Sequence, residues 1–375
     1  MGVNYNVLGL VFASMHDSTV VELTKKRTMG SVLFGGRYRL IDFPLSNMVN
    51  SGITEVGVIT KSNYGSLLDH LGTGREWDLA RKKGGLNLLP PFSQNIGGGV
   101  YRGRLEALNN VWGFVEHSKC EYVVLSDCDF VCNIDFADVV NMHIEKNADI
   151  TVVYGNYIYS EESGACVDVL EMDADGRIQN VLIDPQISGN CKICLDMYVM
   201  RKDFLAKLVK DAASRNQYSL IRDCLQARSN EFNIMGYEFS GYFSRIDSVK
   251  SYYEANMALL KKENRDALFK PDYPIYTKIG DNGPVKYGLE SKVKNSLIAD
   301  GCIIEGTVEN SILFRGVKVG KGSVVKDCVL MQGTSIDANC SLTAVITDKN
   351  VETANGRVLT GSESYPLYIG KNAKI

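Results

Sequence analysis

Aliphatic residues recur every six positions near the end of the chain, and this spacing is the strongest constraint on its fold. Three overlapping series share it: Val324, Leu330, Ile336 and Leu342; Val319, Val325 and Met331; Ile298 and Ile304. One inward aliphatic residue in every six is typical of a parallel β-helix, a solenoid of triangular coils. A β-sandwich with a coincidental spacing is the alternative, and the overlap of three series favours the solenoid. We predict a β-helix over residues 288–375.

Apolar runs alternate with helix-like segments in the preceding residues. Buried strands are predicted over 5–13, 55–60, 121–126 and 150–154, and helices over 42–51, 66–71, 105–117 and 136–147. Such alternation indicates an α/β domain whose largely parallel sheet is covered on both faces. Sheets of this kind bind nucleotides at the carboxyl ends of their strands.

Three prolines mark the connection between the two regions. Pro271, Pro274 and Pro284 stop helices and favour extended chain. We therefore predict a first domain over 1–264, a linker over 265–287 and the solenoid over 288–375. A chain of 375 residues is long enough for two hydrophobic cores.

Charge and hydropathy exclude two classes of partner. The formal net charge of -3 provides no basic surface for nucleic acid. No apolar run approaches the roughly 18–20 residues that a membrane span needs. The first residues also lack the pattern of a secretion signal, so we expect a cytoplasmic protein.

Several short motifs occur in one order along the chain. They are F-G-G-R-Y-R-L-I-D-F-P-L-S-N-M-V-N-S-G at 34–52, G-T-G-R-E-W-D-L at 72–79, Y-R-G at 101–103, C-N-I-D-F at 132–136 and S-Y-Y-E-A-N-M at 251–257. The set closely resembles ADP-glucose pyrophosphorylases, the glucose-1-phosphate adenylyltransferase family. The resemblance implies a nucleotidyltransferase (Rossmann-like) mixed-sheet domain followed by a left-handed β-helix.

Three segments near the end of the sequence indicate one subgroup of this family. They are K-Y-G at 286–288, F-R-G-V-K-V-G-K-G at 314–322 and Y-P-L-Y-I-G-K-N at 365–372. These resemble the GlgD-type subunit found beside the catalytic subunit in Gram-positive bacteria. The resemblance implies a catalytic partner subunit, in a heterotetramer, with self-association as a further possibility.

The family's phosphate-binding residues are replaced in this sequence. Its members join a sugar 1-phosphate to the α-phosphorus of ATP and use a G-G-x-G-T-R loop, because glycine lets the backbone fold around phosphates. Residues 14–19 read S-M-H-D-S-T instead, so that Thr19 replaces the arginine and Asp17 adds a negative charge. The lysines of two further family motifs correspond to Met29 and Asp184.

The family's magnesium ligands are only partly present. Asp129 matches the first ligand, with Asp127 as a nearby alternative, but the second ligand position is Arg245. Arginine is always charged and cannot coordinate Mg²⁺. Arg104 also replaces a small residue of the base-contacting segment. We therefore predict a pseudoenzyme that binds no metal, with Asp129, Asp127 and Tyr101 as vestigial catalytic positions.

Regulation is the remaining role that the resemblance implies. Lys26, Arg27 and Arg39 match positions that contact effector phosphates in active relatives, and cationic side chains suit phosphate recognition. We predict a degenerate subunit of glycogen (ADP-glucose) biosynthesis that modulates a catalytic partner and binds a phosphorylated effector. A weakly active divergent nucleotidyltransferase and a freestanding sugar-phosphate sensor remain alternatives.

Overall fold

A nine-stranded mixed sheet forms the first domain of the computed structural model, which describes residues 6–91, 101–159 and 167–375. With strands numbered along the chain, its members are β1 (Val7–Phe12), β4 (Glu55–Ile59), β5 (Gly85–Leu89), β6 (Tyr122–Asp127), β8 (Ile150–Tyr159), β9 (Asp168–Met172), β10 (Ile178–Ile183), β11 (Gly189–Arg201) and β12 (Ile234–Glu238). β1 lies between β4 and β6 in parallel register, and β11 pairs antiparallel with β6 and β8. Two small antiparallel pairs flank the sheet: β2 (Leu33–Phe34) with β3 (Tyr38–Arg39), and β7 (Phe130–Cys132) with β13 (Phe243–Arg245).

Helices cover both faces of this sheet. They are α1 (Val21–Thr24), α2 (Asp42–Asn50), α3 (Gly65–Leu71), α4 (Arg104–Asn110), α5 (Trp112–His117), α6 (Phe136–Glu145), α7 (Lys202–Ser214), α8 (Val249–Ala258) and α9 (Lys262–Leu268), with a π-helical turn at Leu220–Gln226. Alternate residues of β1 enter two separate cores: Leu8 and Leu10 lie in one, and Val11 lies in the other. The predicted α/β domain, covered on both faces, is therefore confirmed. Its sheet is mixed and not largely parallel, because β9, β10 and β11 pair antiparallel.

One predicted helix is divided. The segment over 105–117 forms α4 and α5, which meet at Val111. Asn109, Asn110 and Gly113 surround that junction, and these residue types favour helices weakly. Among the described helices, none is long and apolar enough to cross a membrane.

The second domain is the predicted left-handed β-helix. Its strands are β14 (Lys286–Tyr287), β15 (Lys292–Lys294), β16 (Leu297–Ile298), β17 (Ile303–Ile304), β18 (Thr307–Glu309), β19 (Ile312–Leu313), β20 (Lys318–Val319), β21 (Val324–Lys326), β22 (Val329–Leu330), β23 (Ser335–Ile336), β24 (Ser341–Thr343), β25 (Val345–Thr347), β26 (Val358–Thr360) and β27 (Leu367–Ile369). They stack into three parallel sheets, ordered β14-β17-β20-β23, β15-β18-β21-β24-β26 and β16-β19-β22-β25-β27.

Two members of the predicted inward series point elsewhere. Val324 is 42% exposed, and its neighbour Val325 is the inward residue of β21. Met331 is buried against the first domain instead of the solenoid interior. Successive side chains of a strand point to opposite faces, so a one-residue error in the start of a coil moves the inward position.

The connection between the domains is shorter than the predicted 265–287. α9 continues to Leu268, and β14 already pairs with β17 of the solenoid. The intervening chain is bound to the first domain, because Asn133 donates to the carbonyls of Leu268 and Tyr273 at 2.8 Å each. Asn50 likewise donates to the carbonyl of Pro274 at 3.0 Å. The segment is a fixed strap between the two cores.

Candidate functional site

The loop after β1 uses its own side chains to fix its backbone. Asp17 Oδ1 accepts the N–H of Met29 at 2.7 Å, and Thr24 Oγ1 donates to the Asp17 carbonyl at 2.6 Å. Ser14 Oγ accepts the N–H of Lys61 at 2.8 Å. Burial raises the pKa of Asp17 to about 6. The side chains of this loop are thus engaged by the protein's own backbone at Met29 and Lys61.

Three buried carboxylates converge beside this loop. Asp127 ends β6, Asp129 follows two residues later, and Asp196 lies on β11 where its register with β8 shifts. Asp196 has a positive φ of 55° at this irregularity. One potential ligand atom from each carboxylate and one from His16 all lie within 4.8 Å of one another. The carboxyl end of β6 and the irregular part of β11 therefore form an acidic cluster, at the edge where the sequence predicts nucleotide binding.

Two arginines bind these carboxylates. Arg104, the first residue of α4, reaches Asp127 Oδ2 at 2.6 Å and Asp196 Oδ1 at 2.7 Å through Nη2. Its Nε also donates to Asp127 Oδ1 at 3.2 Å. Arg245 Nε lies 3.3 Å from Asp129 Oδ2, because β13 pairs with β7 directly beside that residue. Both guanidinium groups are thus held inside the cluster.

His16 supplies a third positive group. Its Nε2 lies 2.8 Å from Asp127 Oδ2. Burial opposes protonation of His16, but the carboxylates of Asp129 and Asp127 outweigh it and raise its pKa to about 9. Burial raises the pKa of Asp129 to about 6, whereas Arg104, acting against burial, holds the pKa of Asp127 below its usual range. His16 is therefore a third positive group in the cluster, beside Arg104 and Arg245.

The cluster does not fit the magnesium ion that the family implies. Mg²⁺ takes octahedral oxygen ligands, including carboxylates that other cations do not already bind. Arg104 holds Asp127 and Asp196, and Arg245 occupies the expected second ligand position. Among the described residues, Asp129 Oδ1 is the cluster oxygen that is buried without a hydrogen-bond partner. One such oxygen, with cations bound to the neighbouring carboxylates, is a poor site for an ion that one or two carboxylates usually hold together with substrate phosphates.

The structure brings Asp127, Asp129 and Arg245 together, as the sequence positions suggest. Tyr101 lies beside them, but its hydroxyl donates to the Thr60 carbonyl at 2.5 Å, and burial raises its pKa. Sequence reasoning missed Asp196, and it noted Arg104 only for its size. The signal for Asp196 was an aspartate within the apolar run I-C-L-D-M-Y-V-M, a place where a carboxylate needs a partner.

A second polar site lies between the two domains. A cavity of about 240 Å³ is lined by residues of the first domain, the strap and the solenoid. Five of its lining side chains are cationic, namely Arg37, Arg39, Lys278, Arg315 and Lys349, and Asp69 is the acidic one. Burial, together with the neighbouring charges of Arg39 and Arg27, lowers the pKa of Lys349 to about 8.

The three candidate effector residues occupy different environments. Arg39 lines the cavity and donates to Ser66 Oγ at 2.9 Å. Lys26 is exposed and does not line it. Arg27 is buried and binds Asp348 of the solenoid through Nη2, at 2.6 and 2.7 Å. An anion would therefore meet Arg39 in this cavity, while Arg27 holds the two domains together.

Comparison with known proteins assigns both domains to known families. The nucleotidyl transferase family model matches residues 18–262, and the GlmU-like C-terminal hexapeptide model matches residues 285–363. The chain is 37% identical over 368 residues to the glycogen biosynthesis protein GlgD of Bacillus subtilis, covering 98% of this chain and 96% of that protein. It is 38% identical over 322 residues to GlgD of Geobacillus stearothermophilus, covering 86% and 83% of the two chains. The glucose-1-phosphate adenylyltransferase of Clostridium perfringens is 34% identical over 337 residues, covering 88% and 86%.

Proposed function

Because this chain belongs to the ADP-glucose pyrophosphorylase family, as a GlgD-type member, we propose that it serves glycogen biosynthesis as a non-catalytic, regulatory subunit. Its partner in this proposal is the catalytic glucose-1-phosphate adenylyltransferase, in a cytoplasmic hetero-oligomer. The complete scaffold, with both family domains present, would provide the surface on which the two subunits meet.

The neutralised carboxylate cluster is the observation that carries this proposal. Nucleotidyl transfer between two polyanions depends on groups that stabilise developing negative charge, and on a metal ion held by carboxylates. Here Arg104, Arg245 and His16 bind those carboxylates, and the loop after β1 turns its own carboxylate inward. These residues support a stable, folded domain and not the binding of ATP with Mg²⁺.

Reconstitution with the catalytic subunit tests the proposal. We expect the two purified proteins to co-elute as one complex, and the mixture to show a higher kcat or a changed effector response, relative to the catalytic subunit alone. A coupling of about 1–3 kcal/mol between subunits corresponds to a roughly 5–150-fold change in an effector's affinity. Separate elution together with unchanged kinetics would contradict the proposal.

The two alternatives give different results in the same preparation. A weakly active nucleotidyltransferase would form ADP-glucose without the partner. A freestanding sensor would be stabilised thermally by sugar phosphates and would not bind the catalytic subunit. The buried ion pairs of Arg104 argue against the first alternative, because an entering nucleotide would have to break them.

The interdomain cavity is the place where we propose that a phosphorylated effector binds. Its guanidinium and ammonium groups match the charge of a phosphate, and its lining comes from both domains and the strap. A ligand held there would contact all three parts of the chain. Such a ligand can shift the conformational equilibrium of the assembly only by the difference between its affinities for the two conformations.

Anion binding in this cavity should depend on pH through Lys349. An amine of pKa about 8 is roughly nine-tenths charged at pH 7 and roughly one-tenth charged at pH 9. An anion favours the charged form of the Lys349 amine. Sulfate has a constant charge over this pH range, so it should bind about tenfold more tightly at pH 7 than at pH 9. Calorimetric titration measures this ratio.

Two variants control the pH experiment. Lys349→Met should remove most of the pH dependence, whereas Lys26→Met should leave it unchanged, because Lys26 does not line the cavity. An equal pH dependence in the Lys349→Met protein would show that another group takes up the proton.

A further inference from the structure

Two Asn-Gly dipeptides occur in the sequence, Asn282-Gly283 and Asn355-Gly356. The asparagine of such a pair is chemically labile, because the glycine has no Cβ to shield its backbone nitrogen from the neighbouring side-chain amide. Attack by that nitrogen requires an N–H group that is not already held in a hydrogen bond. The state of the two glycine N–H groups therefore predicts which asparagine reacts.

The two glycines differ in this respect, although both asparagines are exposed. Gly356 donates its N–H to the Ala338 carbonyl at 3.0 Å, within the solenoid. Gly283, in contrast, has no acceptor for its N–H among the described residues. One solvent-exposed hydrogen bond holds the Asn282 side chain, from Nδ2 to Asp300 Oδ2 at 2.9 Å. Because a single bond of this kind contributes little, the Asn282 amide is free to meet the nitrogen of Gly283.

Asn282 lies in the wall of the interdomain cavity. Arg315, which also lines this cavity, pairs with Asp300 at 3.2 Å, and Asn282 donates to the same carboxylate. A carboxylate in place of the Asn282 amide would lose this donor and add a negative charge beside Asp300 and Arg315. It would therefore oppose the binding of a second anion in the cavity.

We infer that Asn282 is a site of spontaneous deamidation, and that the product weakens anion binding in the interdomain cavity. The nitrogen of Gly283 attacks the side-chain amide carbon of Asn282, and ammonia leaves with the proton of that nitrogen. Water then opens the cyclic imide at either carbonyl, which gives an aspartyl or an isoaspartyl carboxylate. The reaction itself is independent of the proposed function, whereas its consequence for an effector rests on that proposal.

Incubation of the purified chain at neutral pH, followed by peptide mass spectrometry, tests the modification. We expect Asn282 to deamidate at least about tenfold faster than Asn355, because Gly356 must first break its hydrogen bond. Gly283→Ala should slow the reaction of Asn282, since a methyl group shields the nitrogen. The fold accommodates this variant, because no atom beyond the chain neighbours lies within 4 Å of the added Cβ. Equal rates for the two asparagines, or no reaction of Asn282, would overturn the inference.

Sulfate binding tests the consequence for the cavity. Asn282→Asp should weaken sulfate binding about threefold or more, because it adds a negative charge to the cavity wall. Asn355→Asp is the matched control: it adds the same charge outside the cavity lining and should change the affinity by less than about twofold.

The outcomes separate this inference from the proposed function. If the wild-type chain and Asn282→Asp bind sulfate equally well, deamidation does not control the cavity, and the inference is refuted while the proposed function stands. If the wild-type chain binds no sulfate, the proposed effector site fails and the consequence for anion binding fails with it. The rates at Asn282 and Asn355 still decide whether the modification occurs.

Discussion

Replacing Arg104 by methionine should destabilise the protein by about 3–5 kcal/mol, because it leaves buried carboxylates without their counter-charge. Arg104 is buried and holds Asp127 and Asp196 at 2.6 and 2.7 Å. Urea unfolding, followed by far-UV circular dichroism, measures the loss. Methionine preserves much of the side-chain volume. The change in stability therefore reflects the loss of the positive charge more than the creation of a cavity.

Arg102 provides the matched control for this variant. It lies two residues earlier and pairs with Glu106 near the surface, where an ion pair contributes at most about 1 kcal/mol. Adding Asp127→Asn and Asp196→Asn to Arg104→Met should restore part of the lost stability, since the unpaired charges are then removed. If Arg104→Met and Arg102→Met destabilise the protein equally, Arg104 is not the counter-ion of the cluster.

Replacing Arg27 by methionine should also cost about 3–5 kcal/mol, because this arginine forms a buried ion pair between the two domains. Its partner Asp348 also accepts the N–H of Lys349 at 2.6 Å and lies 3.1 Å from the hydroxyl of Tyr368. The variant leaves this carboxylate buried without a cation. Differential scanning calorimetry measures the effect, and it also shows whether the domains then unfold in separate transitions.

Two further variants serve as controls for Arg27→Met. Lys26→Met should change stability by no more than about 0.5 kcal/mol, because Lys26 is an exposed neighbour. Arg27→Met combined with Asp348→Leu should be more stable than Arg27→Met alone, since an apolar pair can replace a buried ion pair. A single Arg27→Met variant with wild-type stability would contradict the interdomain role of this residue.

Periodicity was sufficient to predict both domains, because each depends on many repeated positions. The alternation of β1 between two cores and the stacked coils around Val325 follow directly from such patterns. Boundaries were less accurate, as the division at Val111 and the extent of α9 show. These depend on single residues and on tertiary contacts such as those of Asn133, which no local pattern reveals.

The candidate site was predictable only where it matched a motif position. Asp129 and Arg245 were identified in this way, and they lie together. The partners of Arg104 and Arg27 were not, because Asp127 is 23 residues from Arg104 and Asp348 is 321 residues from Arg27. Sequence reasoning consequently assigned Arg27 to an effector, whereas its guanidinium is engaged within the fold. Ion pairs between distant residues require the fold to be known first.

The most direct test of the non-catalytic role is ADP-glucose synthesis by this protein alone, from ATP, glucose 1-phosphate and Mg²⁺. We expect no product above the level of the buffer, and no difference between the wild-type chain and Asp129→Asn. ADP-glucose formation that the Asp129→Asn substitution abolishes would contradict this role, because it would show that the carboxylate cluster still supports the reaction.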